Sequence, residues 1–486
     1  MDREGQVPGA RSGGNVWGMA SSPKPSAANG AVFVDLDRTL LRGASGLVLS
    51  AAMHAEGLFE GRPSIPGERL IYGLYDLRGE SLPFMGLARA AARFVKGWPV
   101  ETMKRAGQMA AAELADLVQP YAPAVLAEHR RAGRILVLAT TTPVDLIEPF
   151  ARLFGFDHIL ATRYSREDGH YTGGIDGNFV WSRGKLAASR AWAEAEGVDL
   201  ADCHAYSDSV FDLPLLRAVG HPHAVNPDSR LRGLARLNRW PIEHWDRPPG
   251  VPKLVGMEAY DVLRHIVRPE LFPYARFDIG PVGHFPARGP VLLASNHRSY
   301  FDVAALAVVA ARLHRPVRFL GKQELFDAPV VGQLARALGG IPVDRKGEPA
   351  VALAEARKAL DAGEVVAILP QGTIPRGRAF FDPVLQGKTG TARLAASGIP
   401  VVPVAVWGTE AVWPRSSRMP NMVNLLHPPT VHVRMGDPLT LDSGDPHADT
   451  ERLMTAIAAL LPEELRRPHE PSPQELALTV PAGRGE

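Results

Sequence analysis

Short apolar runs recur along this chain, and most of them end on polar or charged residues where a helical pattern begins. The runs are Ala31-Val32-Phe33-Val34, Ile135 to Ala139, Cys203 to Tyr206, Val291 to Ala294, Val317 to Leu320, Val365 to Leu369 and Ile399 to Val406. Each is too short for a core helix and long enough for a strand buried on both faces. Strands that alternate with helices predict an α/β chain with mainly parallel sheets, in which chemistry gathers at the carboxyl ends of the strands.

The run ending at Ala294 leads into Asn296-His297-Arg298-Ser299-Tyr300-Phe301-Asp302, and a helix is predicted over Val303–Ala311. Positions five apart on a helix differ by about 140° around its axis. His297 and Asp302 can therefore meet only if His297 lies in the turn and Asp302 in the first helical turn. The carboxylate then holds one ring nitrogen and leaves the other to take a proton, which is the base-and-orienter part of a hydrolase triad without its serine. Such a pair suits a nucleophile that arrives with the substrate, such as a hydroxyl attacking a thioester. The same spacing occurs at His223 and Asp228, so spacing alone does not make a site.

The 486 residues carry a formal net charge of +2, 45% hydrophobic and 22% charged residues, enough for two or three globular domains. The near-neutral balance argues against nucleic acid as a partner. A lone cysteine, Cys203, excludes an internal disulfide and suits a reducing cytoplasm. No apolar run reaches membrane-spanning length and no secretory pattern opens the chain, so membrane contact is expected to be peripheral. Residues 1–30 and 463–486 read as a disordered arm and tail. Residues 43–132 read as a helical insertion between the first two strands, 241–254 as a Pro-rich linker, and Val255–Val267 as a helix opening the second domain.

In the first domain, two carboxylates, Asp35 and Asp37, follow the first strand, with Thr39 close behind. Thr140 ends the second strand, where hydroxyls and backbone N–H groups can hold a phosphate. Lys185 opens a helix that ends near Gly197. Asp208 and Asp212 follow the Cys203–Tyr206 run. Together and in this order, these residues resemble the haloacid-dehalogenase-like phosphohydrolases, in the phosphoserine-phosphatase-like branch, over about residues 31–240. The resemblance implies a Rossmann-like parallel sheet with a helical cap. It implies Asp35 as nucleophile, Asp37 as general acid and base, Thr140 as phosphoryl ligand and Lys185 as charge stabiliser. It also implies Mg²⁺ held by Asp35, the Asp37 carbonyl and Asp208, with Asp212 in support.

The second domain adds Gly340-Ile341-Pro342-Val343-Asp344-Arg345, then Pro370-Gln371-Gly372-Thr373-Ile374, then Pro403 in an apolar strand. With His297 and Asp302, these blocks resemble the acyltransferases that acylate glycerol-3-phosphate and lysophosphatidate, over about residues 255–440. The resemblance implies His297 as the base and Asp302 as its orienter. Gly340, Arg345, Gly372 and Thr373 would bind the acceptor phosphate, and Pro403 would shape the acyl side. It implies acyl-CoA or acyl carrier protein as donor, a lysophospholipid as acceptor, and a place on the inner face of the cell membrane. The third block usually reads Glu-Gly-Thr-Arg; here Gln371 replaces the acid and Ile374 the arginine. Arg376 or Arg378 could reach the same phosphate, and another hydroxyl acceptor becomes an alternative. So does a silenced, lipid-binding acyltransferase domain joined to a phosphatase of the phosphoserine type. The stretch Leu325–Leu338 reads either as an ordinary amphipathic helix or as a surface for anionic headgroups. Gly387-Lys388-Thr389 is no nucleotide loop, because Asp382 stands where that loop needs glycine.

Overall fold

A computed structural model describes residues 26–59, 82–248, 251, 253–254, 257–258, 260, 267–282, 285–313, 315–327, 331–343 and 349–481. The chain forms two compact units, Met1–Val118 with Val125–Glu243, and Gln119–Ala124 with His244–Glu486.

Among the described residues, the first unit holds a seven-stranded sheet. Its strands are β1 (Ala31–Val34), β2 (Ile135–Pro143), β3 (His158–Glu167), β4 (His170–Asp176), β5 (His204–Ser207), β6 (His221–Val225) and β7 (Ile242–Glu243), in the order β4-β3-β2-β1-β5-β6-β7. All neighbours are parallel except β3 and β4. All four residues of β1 are buried, as a central parallel strand with helices on both faces requires. Between β1 and β2 the described residues form helices Gly46–Ala55, Leu82–Phe94, Val100–Asp116 and Ala122–Arg131.

The second unit opens with a short antiparallel pair, β8 (Lys253–Leu254) and β9 (Met257–Glu258). Its main sheet comprises β10 (Arg276–Ile279), β11 (Val291–Ser295), β12 (Val317–Lys322), β13 (Ile341–Val343), β14 (Val365–Ile368), β15 (Val401–Trp407) and β16 (Thr430–Met435). The order is β10-β16-β15-β11-β14-β12-β13, with β15 and β16 antiparallel and the other neighbours parallel. Apolar side chains on the two faces of this sheet form separate cores. Leu293, Val365 and Val404 lie in one; Leu292, Val366 and Ala405 lie in the other.

Four expectations need correction. The tail is ordered to residue 481: Ser472 and Glu475 form a reciprocal capping box at the helix Pro473–Leu478, and the Thr479 hydroxyl accepts from the Gly377 N–H at 2.9 Å. A polar composition concealed this order because the stabilising groups are a cap and a few long-range contacts, among them the Ser416 N–H to the Leu478 carbonyl. Residues 26–30 form a capped turn, Ser26 accepting from the Ala28 N–H; the rest of the arm lies outside the described residues. The stretch assigned to a linker begins with β7. Within Val255–Val267, Met257–Glu258 is strand and Tyr260 is helical, so the expected helix does not start at Val255; most of the remainder lies outside the described residues.

Candidate active sites

Neighbouring parallel strands β2, β1 and β5 release their chains at one sheet edge, and that edge gathers Thr140, Asp35 and Asp208. Asp35 follows β1, its N–H donating to the Tyr206 carbonyl. The chain then turns sharply through Arg38, at φ 61°, a costly value for a residue with a side chain. This turn aims Thr39 at the end of β5. Its hydroxyl donates to Asp208 Oδ1 at 3.2 Å and accepts from the Asp208 N–H at 2.9 Å. Asp37 Oδ1 accepts from the Ser45 N–H at 2.6 Å. Thr140, buried, accepts from the Thr142 N–H.

Lys185 is almost fully buried (1% exposed). It donates to Asp35 Oδ1 and Asp212 Oδ2, both at 2.7 Å. Asp212 Oδ2 also accepts from Ser207 Oγ at 2.8 Å, and Arg38 pairs with Asp208 at 3.3 Å. Burial pushes the Asp35 carboxyl up to about 6; Lys185 opposes this, while Asp212 and Asp37 add to it. A cation at the carboxylates would reverse that push. No three His, Cys, Asp or Glu side chains among the described residues form a ready metal cage. The donors on offer are few carboxylates plus a carbonyl, a set that fits Mg²⁺, which keeps several of its waters. Asp212 Oδ1, buried and without a hydrogen-bond partner, is a further sign that this pocket accommodates a positive species or water.

In the second unit, adjacent parallel strands β15, β11 and β14 release their chains at one edge. They bring Thr409, the His297 loop and Gln371 together. His297 Nδ1 lies 2.7 Å from Asp302 Oδ2. The same oxygen accepts from the N–H groups of Arg298 at 2.7 Å and Ser299 at 2.9 Å, and Oδ1 accepts from Thr409 Oγ1 at 2.5 Å. Asp302 is fully buried and is the first residue of the helix Asp302–Arg312, so the helix N-terminus favours its charge. Asn296 anchors the loop by exchanging two 2.8 Å bonds with Val406. His297 Nε2 has no hydrogen-bond partner among the described residues.

Gln371 has a role that sequence did not reveal. Its Oε1 accepts from the His297 N–H at 2.6 Å. The oxygen that a glutamate would offer is therefore kept, without its charge. If this bond is what matters, Gln371→Glu retains acyl transfer within a few-fold, while Gln371→Ala lowers it by about tenfold, the cost of one lost hydrogen bond. Acyl transfer rates of the two variants check this.

Gly372 stands at φ 70°, in a turn closed by its N–H to the Leu369 carbonyl. A Cβ there would lie 3.4 Å from Lys388 Nζ. Lys388, set aside at the sequence level with the nucleotide loop, thus belongs beside Gly372 and Thr373. Arg415 was also missed. It is buried, donates to the Ile374 and Pro375 carbonyls and feels the charge of Arg376. No spacing rule links position 415 to position 374; only the fold does. Arg378, by contrast, is exposed and pairs with Glu470.

One expected pocket residue is elsewhere. Ile341 pairs with Leu320, Phe319 with Ala367, and Ala367 with Leu293. Gly340 therefore stands level with Leu293 and three strands away, on the order of 20 Å from His297. A Cβ on it would meet the Ala335 carbonyl at 2.8 Å and the Phe326 ring at 3.0 Å, so close packing explains the glycine. Pro403 is buried in β15 beside Gly436, whose N–H donates to its carbonyl. Arg345 lies outside the described residues.

A cavity of 470 Å³ adjoins Arg298 and Arg415, with Phe380, Leu385, Leu465 and Leu478 in its wall. Ser299 Oγ donates to the Trp413 carbonyl at 2.7 Å. The loop that follows exposes Met419, Met422, Val423, Leu425 and Leu426, with Val423 at 88% and Leu426 at 89%. No helix among the described residues is long and apolar enough to cross a membrane.

The profile of the haloacid dehalogenase-like hydrolases matches residues 32–217, and that of the acyltransferases residues 280–407. The inhibition of morphological differentiation protein of Streptomyces azureus is 35% identical over 226 residues, 45% of this chain and 79% of that protein. The phosphoserine phosphatase SerB1 of Mycobacterium tuberculosis is 34% identical over 215 residues, 44% of this chain and 70% of that protein. Among solved structures, the 1-acyl-sn-glycerophosphate acyltransferase PlsC of Thermotoga maritima is 20% identical, covers 42% of this chain and 81% of its own, with a TM-score of 0.32.

Proposed function

Because the chain belongs to the haloacid dehalogenase-like hydrolases over residues 32–217 and carries an acyltransferase domain over residues 280–407, we propose that it is a bifunctional enzyme of phospholipid metabolism. The second unit moves an acyl group from a thioester of coenzyme A or acyl carrier protein to the hydroxyl of a lysophosphatidate-like acceptor. The first hydrolyses a phosphate monoester. The observation that carries the transferase reading is the His297–Asp302 contact, with Nε2 left to the substrate.

His297 Nε2 takes the proton of the acceptor hydroxyl as its oxygen attacks the thioester carbonyl. Asp302 fixes the ring and offsets the charge that develops on it. The C–S bond then breaks and the imidazolium returns the proton to the departing sulfur. Arg415, Arg376 and Lys388 are the cations we assign to the acceptor phosphate. They answer the arginine missing at position 374, and no acidic partner offsets them among the described residues. The 470 Å³ cavity combines apolar side chains such as Phe380, Leu385, Leu465 and Leu478 with charged ones such as Glu410, Glu464 and Arg467, a mixed lining that suits an amphiphile with a hydrocarbon part.

In the first unit, Asp35 attacks phosphorus and forms an aspartyl-phosphate while Asp37 gives its proton to the leaving oxygen. Water then attacks the aspartyl-phosphate with Asp37 as base. Thr140 and Lys185 hold the transferring group. Haloacid dehalogenase-like phosphatases typically use Mg²⁺; here Asp35, the Asp37 carbonyl and Asp208 would hold it, with Asp212 in support. When bound, it neutralises charge that would otherwise repel the anionic nucleophile.

The chain is proposed to work in the cytoplasm, seated peripherally on the inner face of the cell membrane. The loop Met419–Leu426 supports this better than Leu325–Leu338, where Phe326 is buried and its backbone closes on Gly332. Adjacent exposed apolar side chains of this kind mark interaction surfaces. The double variant Val423→Asp, Leu426→Asp is expected to bind anionic phospholipid vesicles at least tenfold more weakly in a flotation assay. Unchanged binding would remove this loop from the membrane contact.

A further inference from the structure

Beside the phosphohydrolase carboxylates lies a cavity of 190 Å³ whose lining is mostly apolar. Asp37, Ser45, Thr141, Thr142 and Tyr164 are its polar lining residues. The rest of the wall includes Leu49, Met53, Phe94, Trp98 and Met103, among others. The Trp98 ring meets those of Phe59 and Phe94 edge-on at 5.2 and 5.7 Å, so the wall holds an aromatic cluster. Asp37 is the one charged residue among the described residues that line it.

We propose that this cavity receives the leaving alcohol of the phosphate monoester and that this alcohol is apolar, of the alkyl or acylglyceryl class. The inference rests on the phosphohydrolase reading of the first unit. Cleavage breaks the P–O bond, transfers the phosphoryl group to Asp35, and sends the Asp37 proton to the alkoxide oxygen as it enters the apolar space. An amino-acid alcohol would bring an ammonium and a carboxylate into the same space. The ammonium would meet only Asp37, whose carboxyl serves the reaction, and the carboxylate meets no counter-charge among the described lining residues, so its burial is unfavourable. A hydrocarbon chain loses nothing there and gains about 0.8 kcal/mol per buried methylene.

The test uses the full chain with Mg²⁺ and compares kcat/KM for phosphoserine and for butyl, hexyl and octyl phosphate below their micellar concentrations. Lysophosphatidate in mixed micelles is run alongside. The expected result is a rise of about fourfold per added methylene until the cavity fills, with octyl phosphate ahead of phosphoserine by 100-fold or more. Lysophosphatidate turnover at the octyl level assigns the alcohol to lipid; octyl turnover without it assigns a soluble apolar monoester, and either supports the inference. Phosphoserine equal to or better than octyl phosphate overturns it and leaves the phosphohydrolase reading standing. No turnover of any monoester overturns that reading as well. A variant adds a test that is independent of how much protein folds, because it is read as a ratio. Met53→Lys, at a half-buried position where a lysine head can reach water, lowers the octyl-to-phosphoserine ratio at least tenfold; an unchanged ratio contradicts the proposal.

Discussion

His297→Ala lowers acyl transfer by about 10²–10⁴-fold, the range a positioned general base contributes. The geometry leaves little room for a substitute. Asp302 is fully buried and spends its oxygens on His297, on Thr409 and on the backbone N–H groups of Arg298 and Ser299. It cannot swing out to act as a base itself. The loop is independently tied to β15 by Asn296 and to the turn after β14 by Gln371. Removing the imidazole therefore leaves the frame in place, and the expected change is in rate rather than in thermal stability. Release of free thiol from an acyl thioester in the presence of a lysophospholipid measures it. Equal low transfer by the parent chain and the variant would favour a lipid-binding domain without catalysis.

Asp35→Asn abolishes phosphate release, by on the order of 10³-fold or more, as expected when a nucleophile acting in concert with its partners is lost. The fold is expected to tolerate this change. Burial already pushes the Asp35 carboxyl up to about 6 and the neighbouring Asp212 pushes the same way, so a neutral isostere relieves repulsion. Lys185 keeps its 2.7 Å bond to Asp212, which prevents it from becoming a buried charge without a partner. Inorganic phosphate release measures the effect. Residual turnover within tenfold of the parent would assign the nucleophile elsewhere.

What could be read from sequence was what is local or carried by strand order. The alternation of short apolar runs with helices gave the parallel sheets, and a spacing of five gave the His297–Asp302 contact, because both lie in one turn. The acids after β1 and β5 converge because parallel neighbours release their chains at the same edge. What could not be read depends on distant packing. Gln371 stands in the third block as a neutral replacement for the acid, and only the fold shows that it holds the His297 backbone across 74 positions. Arg415 reaches the Ile374 turn across 41 positions. Gly340 looked like part of a phosphate motif, yet its register places it far from the imidazole and the Phe326 ring explains its lack of a side chain. The tail's polar composition hid its order, which comes from a capping box and from contacts of Leu478 and Thr479 with Ser416 and Gly377. The edge strand β4 carries too few apolar residues to announce itself.

The central claim is that one chain holds two chemically separate sites. The most direct measurement assays His297→Ala and Asp35→Asn each for both reactions, then mixes them in equal amounts. The account predicts that His297→Ala releases phosphate at the parental rate, that Asp35→Asn transfers acyl groups at the parental rate, and that the mixture shows both activities at half the parental level per chain. Loss of both reactions in either variant would contradict it.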